Sequence, residues 1–198
     1  DHAGFLFPSI SRTRSGRSVM DPSSGDISFE MHLNVPDQAN DNQVLVQKIS
    51  GATNGITVAL SQSASSTECD LVMMISKGPD HISASMGITK GKFQHVYASL
   101  KREGPSDKIN LFLDGVLASS SSAGYSFSDI DFKQSPLTIG SGSVHSGEWS
   151  WGASESQFVP KTTFSGSMDE LRVWHKSHTS DQIKTNMYRE VFSEDRLR

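Results

Sequence analysis

The chain has 198 residues, of which 35% are hydrophobic and 20% are charged, and its formal net charge is −4 at pH 7. Acidic residues outnumber basic ones by 22 to 18, which argues against a nucleic-acid-binding protein. The single cysteine, Cys69, excludes an intramolecular disulfide, and no apolar stretch approaches the roughly 20 residues that a membrane-spanning helix needs.

The dominant hydrophobic period along the chain is two. Within residues 27–35 every odd position is apolar and every even position is polar, which is the pattern of a strand with one face on a core and the other in solvent. Residues 71–75 are apolar at consecutive positions, which predicts a central strand covered on both faces. Further strand-like runs lie at residues 43–49, 56–60, 82–88, 96–100 and 109–113.

Glycine and proline separate these runs at short, regular intervals. Asp114-Gly115 lies between two alternating runs and predicts a tight hairpin, because both central residues of a type I′ turn need positive φ. Strands repeated at roughly 8–12-residue spacing indicate a β-sandwich of about a dozen strands. The sequence shows no internal repeat and no linker long enough to divide it, so we expect residues 1–198 to form a single domain.

One helix is predicted near the C-terminal end. Thr179-Ser-Asp-Gln182 has the form of a capping box, in which the hydroxyl and the Gln side chain satisfy backbone amides at the helix start. Ile183 and Met187 then share one face of the helix at i, i+4. We expect this helix to be short and to lie on the rim of the sandwich.

The closing segment, residues 164–174, reads Phe-Ser-Gly-Ser-Met-Asp-Glu-Leu-Arg-Val-Trp. It resembles the last strand of the laminin-G-like, pentraxin and concanavalin A-like jelly-roll superfamily, which typically reads F-x-G-x-[IM]-D-E-[LV]-R-[IV]-[WY]. Residues 27–35, 93–116 and 137–140 are similar to three further strand motifs of that superfamily. The resemblance extends over residues 25–190 and implies an all-β fold, a two-sheet antiparallel jelly-roll sandwich with one short C-terminal helix.

The superfamily that the chain resembles contains lectins, adhesion modules and some glycan hydrolases. The resemblance implies a non-catalytic recognition module, and we expect a carbohydrate-binding, lectin-like domain on an extracellular or cell-surface protein. A start without Met and without a signal-like apolar segment is typical of an excised module or a mature protein, and we expect the chain to be part of a larger multidomain protein. The alternatives are a protein–protein adhesion domain without sugar binding and a divergent glycan-active hydrolase or lyase.

The sequence motifs of the related enzymes are missing, so we expect no catalysis. Jelly-roll glucanases carry paired carboxylates as E-x-D-x-x-E on one strand, for the acid/base and nucleophile roles. Here Glu30 stands alone, and in a regular strand Asp169 and Glu170 would point to opposite faces. The strand signatures of jelly-roll alginate lyases are missing as well.

Asp169 is the first candidate for a metal ligand. If the final strand is regular, Asp169 shares the parity of Leu171 and Val173, which should face the core. A buried carboxylate has to be paired, hydrogen-bonded or bound to a metal, and calcium takes such oxygen ligands. In many members of the superfamily the corresponding Asp helps to hold a structural calcium. The alternative is that Asp169 lies in the turn before the strand and caps a loop.

The loop of residues 37–42 contains a second calcium candidate, formed by Asp37 and Asp41. Pentraxin-like members of the superfamily place an Asp-Asn calcium pair in a comparable loop. The other ligands of such a site, among them a Glu-Gln-Asp run, are missing from the chain. A plain turn, in which Asx side chains bond their own backbone, is the favoured interpretation.

Most ligand-binding candidates lie in the polar loop of residues 140–152. One interpretation is that Trp149 and Trp151 form a stacking platform for sugar rings, with His145 and Glu148 as polar neighbours. The other is that one or both indoles fold back over the sheet and pin the loop.

Two histidines lie on predicted strands. His32 belongs to the polar face of strand 27–35, and that face meets the ligand in many lectins and hydrolases of this fold. His32 is therefore a ligand-binding candidate, although simple exposure to solvent is favoured. His95 shares the parity of Phe93 and Tyr97 and is expected to pack on an outer face.

Overall fold

The computed structural model describes residues 5–7, 21–62, 65–132, 135–147, 149 and 156–189. Its elements are β1 (Phe5–Phe7), β2 (Ile27–Asn34), β3 (Gln43–Ile49), β4 (Asn54–Ser61), β5 (Glu68–Lys77), β6 (Asp80–Thr89), β7 (Phe93–Glu103), β8 (Ser106–Leu113), β9 (Val116–Ser122), β10 (Leu137–Ile139), β11 (His145–Ser146), β12 (Gln157–Phe158), β13 (Thr162–Thr163), β14 (Ser167–Trp174) and α1 (Ser180–Asn186). Each strand-like run that the sequence predicts lies within one of these strands, except that residue 35 follows the end of β2.

The strands form two sheets on either side of a core, and in the part of the chain that the structure describes all pairings but one are antiparallel. Within the described residues the larger sheet has seven strands, in the order β1-β10-β3-β4-β5-β6 with β13 pairing β3 in parallel. The smaller sheet has five strands, in the order β14-β2-β7-β8-β9, and β11 and β12 form a separate pair. This confirms the predicted jelly-roll β-sandwich.

Alternating side chains of both sheets build the core. The apolar odd positions of residues 27–33 in β2 are almost fully buried in the main apolar cluster. From β5, Leu71 and Met73 enter the same cluster, whereas Val72 and Met74 belong to a second cluster on the outer face of the larger sheet. Strand β5 is therefore covered on both faces, as its consecutive apolar residues predict.

The turn between β8 and β9 has the predicted conformation. Asp114 has φ of 50° and Gly115 has φ of 74°, so both central residues adopt the positive φ that a tight hairpin requires.

Helix α1 covers the outer face of the smaller sheet. Its capping box is present as predicted: Gln182 N donates to the Thr179 side chain, and Thr179 N donates to the Gln182 side chain. The buried Ile183 packs against Tyr97 and Phe112, which lie on β7 and β8. The helix also lies beside the β8–β9 turn, where the Ser180 hydroxyl donates to the carbonyl O of Gly115. No helix in the described residues is long and apolar enough to cross a membrane.

Candidate functional site

His145 lies in the interior on the outer side of the larger sheet. Its Nε2 is 2.7 Å from Ser76 Oγ and its Nδ1 is 2.8 Å from Thr57 Oγ1, so both ring nitrogens are hydrogen-bonded to strands of that sheet. Burial lowers the pKa of His145 to about 3, which leaves the ring neutral at pH 7. The expectation that His145 contacts a ligand is wrong, because its hydrogen bonds anchor the loop to the sheet.

Trp149 is also buried, since only 4% of its surface is exposed. Its indole packs in the second apolar cluster with Phe158 and with residues of β3, β4 and β5, and its Nε1 donates to the carbonyl O of His145 at 3.2 Å. Trp149 therefore folds back over the sheet, and its predicted role in a stacking platform is wrong. Glu148 and Trp151 lie outside the described residues.

Strand β14 contains a β-bulge that changes the position of Asp169. Its pairing with β2 shifts register between Asp169 and Arg172, and Glu170 has φ of 53°. Leu171 and Val173 still pack on the main core, but Asp169 pairs with His32 on the outer side and is exposed. The expectation that Asp169 faces inward is wrong, because the extra residue of the bulge reverses the parity.

The same bulge places Asp169 and Glu170 in one pocket, so the expectation that they point to opposite faces is also wrong. Glu170 Oε2 accepts from Arg172 Nη2 at 2.7 Å, and the Asp169 side chain accepts from the backbone N of Glu170 at 2.9 Å. The acidic pair is therefore partly held by its own strand.

The loop of residues 37–42 is held by its amide side chains. Lys90 Nζ donates to Asn40 Oδ1 at 2.7 Å, and Asn42 Nδ2 donates to the carbonyl O of Val159 at 3.2 Å. Asp37 and Asp41 are exposed. These contacts support a turn stabilised by side chains.

The surroundings of these carboxylates can be compared, within the described residues, with one common pattern of metal ligands. Among those residues no group of three or more His, Cys, Asp and Glu side chains is arranged to hold a metal ion. Glu170, which lies beside Asp169, is already paired with Arg172. Calcium binding at Asp169, or at Asp37 and Asp41, stays a prediction, which melting curves with and without a chelator would check.

A pocket of about 420 Å³ lies on the outer face of the smaller sheet, where the end of α1 meets β2 and β14. We call it the outer-face pocket. It brings together two residues singled out from the sequence, His32 and Asp169, which are direct partners in the β2–β14 register. The other residues that line the pocket are Phe93, Glu170, Arg172, Met187, Tyr188 and Arg189.

A buried polar network lies beside the pocket and is centred on Glu30, of which 2% is exposed. Glu30 accepts from His95 Nε2 at 3.0 Å and from Trp174 Nε1 at 2.6 Å, and Arg172 Nη1 is 3.6 Å away. Burial raises the pKa of Glu30, but the hydrogen bonds from His95 and Trp174 and the nearby charges lower it overall. Glu30 therefore does not stand alone, and His95 packs on the outer face as predicted.

Arg172 joins this network to the segment that follows α1. Its Nη1 donates to the carbonyl O of Asn186 at 2.9 Å, and its Nη2 donates to the carbonyl O of Arg189 at 2.7 Å. These bonds hold the backbone on both sides of Tyr188. Arg172 is therefore a positioning residue for one wall of the pocket.

Aromatic rings border the pocket. Tyr188 is 76% exposed and Phe93 is 56% exposed. His32 stacks on Tyr188 with ring centroids 5.5 Å apart, and it meets His95 edge-on at 5.0 Å. Burial lowers the pKa of His32, which favours the neutral ring at pH 7.

Six residues that line the pocket were not predicted as site residues from the sequence, namely Phe93, Glu170, Arg172, Met187, Tyr188 and Arg189. Phe93 is the first residue of the segment 93–116 that resembles a strand motif of the superfamily, and Tyr188 follows the last turn of the predicted helix. The position of Tyr188 just beyond an amphipathic helix was the sequence feature that could have indicated a site. Whether such a residue reaches a pocket depends on where the helix packs, which the sequence does not give.

A comparison with family models decides the family. The laminin G-type model of the concanavalin A-like lectin/glucanases superfamily matches residues 12–184. The chain belongs to this superfamily. The resemblance seen in the closing strand is thereby confirmed. None of the curated proteins compared matches this member of the superfamily significantly by sequence.

Solved structures share the superfamily fold with the chain at low sequence identity. The heptameric SAP-like pentraxin from Limulus polyphemus has a TM-score of 0.59 and 13% identity, over 94% of this chain and 77% of the pentraxin. The Ruminococcus gnavus IT-sialidase CBM40 bound to α2,3-sialyllactose has a TM-score of 0.56 and 9% identity, over 93% and 95% of the two chains. Mouse laminin alpha1 chain domains LG4-5 have a TM-score of 0.53 and 15% identity, over 86% and 39%. Identities this low establish the fold alone.

Proposed function

We propose that the chain is a non-catalytic recognition module that binds carbohydrate through the outer-face pocket. The observation that carries the proposal is the pairing of two exposed aromatic rings, Phe93 and Tyr188, with the exposed carboxylate of Asp169 around one concavity. A sugar ring has apolar faces that stack on aromatic rings and hydroxyl groups that donate to carboxylates.

The size and polarity of the pocket support carbohydrate binding at this site. Its volume of about 420 Å³ lies in the range of small-ligand sites, which combine apolar walls with a few polar groups that orient the ligand. A related fold, the Ruminococcus gnavus CBM40, is described as bound to α2,3-sialyllactose. That description supports a sugar-binding role for this chain as a class.

The state of the carboxylates supports a binding role over a catalytic one. Glycoside hydrolysis needs one carboxyl group as acid or base and a second as nucleophile or base, both directed at the scissile bond. Glu30 is buried under hydrogen bonds from His95 and Trp174, and Glu170 is paired with Arg172. Asp169 is thereby left without a second, unengaged carboxylate among the pocket residues that the structure describes.

The test is to remove one aromatic wall and to measure glycan affinity. A glycan array first finds a ligand for the parent protein, and calorimetry then measures its affinity for the parent and for Tyr188→Ala. Loss of a stacking ring should weaken binding by about twofold to tenfold, since such contacts contribute about 0.5–1.5 kcal/mol beyond area burial. Phe93→Ala should weaken it in the same way.

Leu117→Ala is the matched control. Leu117 is an exposed apolar residue on β9, at the opposite edge of the smaller sheet from β14. This variant should bind as the parent does. A blank array, or equal affinities for the parent and for both aromatic variants, would contradict the proposal.

A protein-binding adhesion role is the second candidate, and one observation favours it. Strand β9 is an edge strand without charged residues, and Val116 and Leu117 are exposed at its start. Such an edge can add a strand from a partner protein. If the array is blank and Val116→Lys abolishes capture of a polypeptide partner, this role replaces sugar binding. Either role fits our further proposal of an extracellular or cell-surface location within a larger protein.

A further inference from the structure

The cationic group of Arg172 lines the outer-face pocket, but the protein itself already uses its N–H groups. Nε and Nη2 donate to Glu170 Oε2 at 3.2 and 2.7 Å, and two more bonds go to the carbonyl O atoms of Asn186 and Arg189. The remaining attraction is the 3.6 Å ion pair with buried Glu30. A ligand carboxylate is best bound by the paired N–H groups of a guanidinium, and Arg172 would have to break these bonds to offer them.

Two of the exposed polar groups beside Arg172 are carboxylates. Asp169 is exposed, and about half of the Glu170 side chain is exposed. An ionised carboxylate accepts hydrogen bonds and donates none. Sugar hydroxyls can donate to it, whereas a ligand carboxylate supplies acceptors only and is repelled by the like charge.

We propose that the outer-face pocket selects uncharged, hydroxyl-rich sugar units and discriminates against sugar units that carry a carboxylate, such as uronic or sialic acids. This inference rests on the proposed function, since it names the ligand class of the same site. The hydroxyls of the sugar donate to Asp169 and Glu170, and the apolar face of its ring lies against Tyr188 or Phe93. The discrimination arises because the acidic side chains face the ligand while Arg172 is engaged with the protein.

Arg189 is the pocket residue whose charge would favour an acidic sugar. It is a second cation in the lining of the pocket, and its backbone carbonyl is fixed by Arg172. If its guanidinium bound an acidic sugar, the preference would be reversed. The closing experiment therefore includes an Arg189→Gln variant.

The experiment compares matched pairs of glycosides on one array with the full chain. Each pair is a neutral hexoside and its uronide, namely glucose with glucuronic acid, galactose with galacturonic acid and mannose with mannuronic acid, and lactose is set against sialyllactose. We expect at least one neutral member to bind, and its acidic counterpart to bind about tenfold more weakly or not at all. Stronger or equal binding of the acidic member overturns the inference and leaves the proposed function standing. A blank array overturns the proposed function and the inference with it.

Two variants test whether the carboxylate of Asp169 causes the discrimination between neutral and acidic sugars. Asp169→Asn should weaken the neutral sugar about tenfold and reduce the difference between the members of a pair, because a charge-assisted hydrogen bond is lost with the repulsion. Asp70→Asn removes an exposed carboxylate from β5 of the larger sheet and should change neither quantity. Unchanged discrimination in Asp169→Asn, or acidic-sugar binding that disappears in Arg189→Gln, would overturn the inference.

Discussion

At the scale of single residues, Glu30 and His145 have comparable roles on opposite sides of the sandwich. Each is buried and hydrogen-bonded, and each ties a covering segment to the outer face of a sheet. Through Trp174 and Arg172, Glu30 holds β14 and the residues after α1 in place. His145 holds its loop on Ser76 and Thr57 by hydrogen bonds with no formal charge. Buried polar groups of this kind specify one arrangement because any other leaves them unsatisfied.

Replacing His145 by Gln tests its neutral state. Burial lowers the pKa of His145 from 6.5 to about 3, while in the unfolded chain the ring takes up a proton near pH 6.5. Because the folded pKa is depressed, the stabilisation is complete above pH 6.5 and is lost as the pH falls toward 3. The loss reaches about 1.4 kcal/mol per pH unit.

The measurement is the free energy of unfolding from urea titrations at pH 7 and pH 4.5. It should fall more between these two conditions in the parent than in His145→Gln, since the other titrating groups are common to both proteins. An equal fall in the two proteins would show that His145 does not carry this pH dependence.

At the scale of elements, the closing strand and the helix after it assemble the candidate site. The bulge in β14 turns Asp169 and Glu170 outward, and α1 packs on the smaller sheet through Ile183. The segment after α1 then brings Tyr188 over His32. The shape of the pocket therefore depends on where α1 begins and on how it packs against the smaller sheet.

Thr179→Ala tests the start of α1. Removing the capping hydroxyl should lower the free energy of unfolding by about 1 kcal/mol, because the amide of Gln182 loses its acceptor. Thr185→Ala is the control: Thr185 is exposed inside the same helix, and its hydroxyl donates to the carbonyl O of Asp181, so alanine there should be neutral or slightly stabilising. Equal losses in both variants, measured by chemical denaturation, would contradict a specific capping role.

Much of the fold could be predicted from the sequence, because hydrophobic alternation and turn chemistry are local signals. Residues 27–35 alternate and all but the last of them form β2, Asp114-Gly115 forms the hairpin turn, and Thr179 caps the helix. The site could not be predicted in the same way. The bulge at Glu170 reverses the parity of Asp169, and the hydrophobic pattern of the strand does not indicate that it contains an extra residue. The burial of Trp149 depends on residues of four separate strands, so it is a property of tertiary packing.

At the scale of the whole molecule, both sheets have covered outer faces, but the coverings differ. Trp149 and Phe158 close an apolar cluster over the larger sheet. On the smaller sheet, α1 covers Tyr97 and Phe112, and beyond its end a concavity remains beside Tyr188. This asymmetry moves the proposed binding surface from the loop of residues 140–152 to the end of the C-terminal helix.

The position of the binding surface is tested most directly by the indole N–H signals of the three tryptophans in a nitrogen-15 NMR titration with a bound glycan. Trp174 donates its indole N–H to Glu30 beside the outer-face pocket, whereas Trp149 donates to the backbone of its own loop on the other sheet. Assigned by single Trp→Phe substitutions, the Trp174 signal should shift on binding while the Trp149 signal stays in place. A shift of Trp149 or Trp151 with Trp174 unchanged would contradict binding at the outer-face pocket.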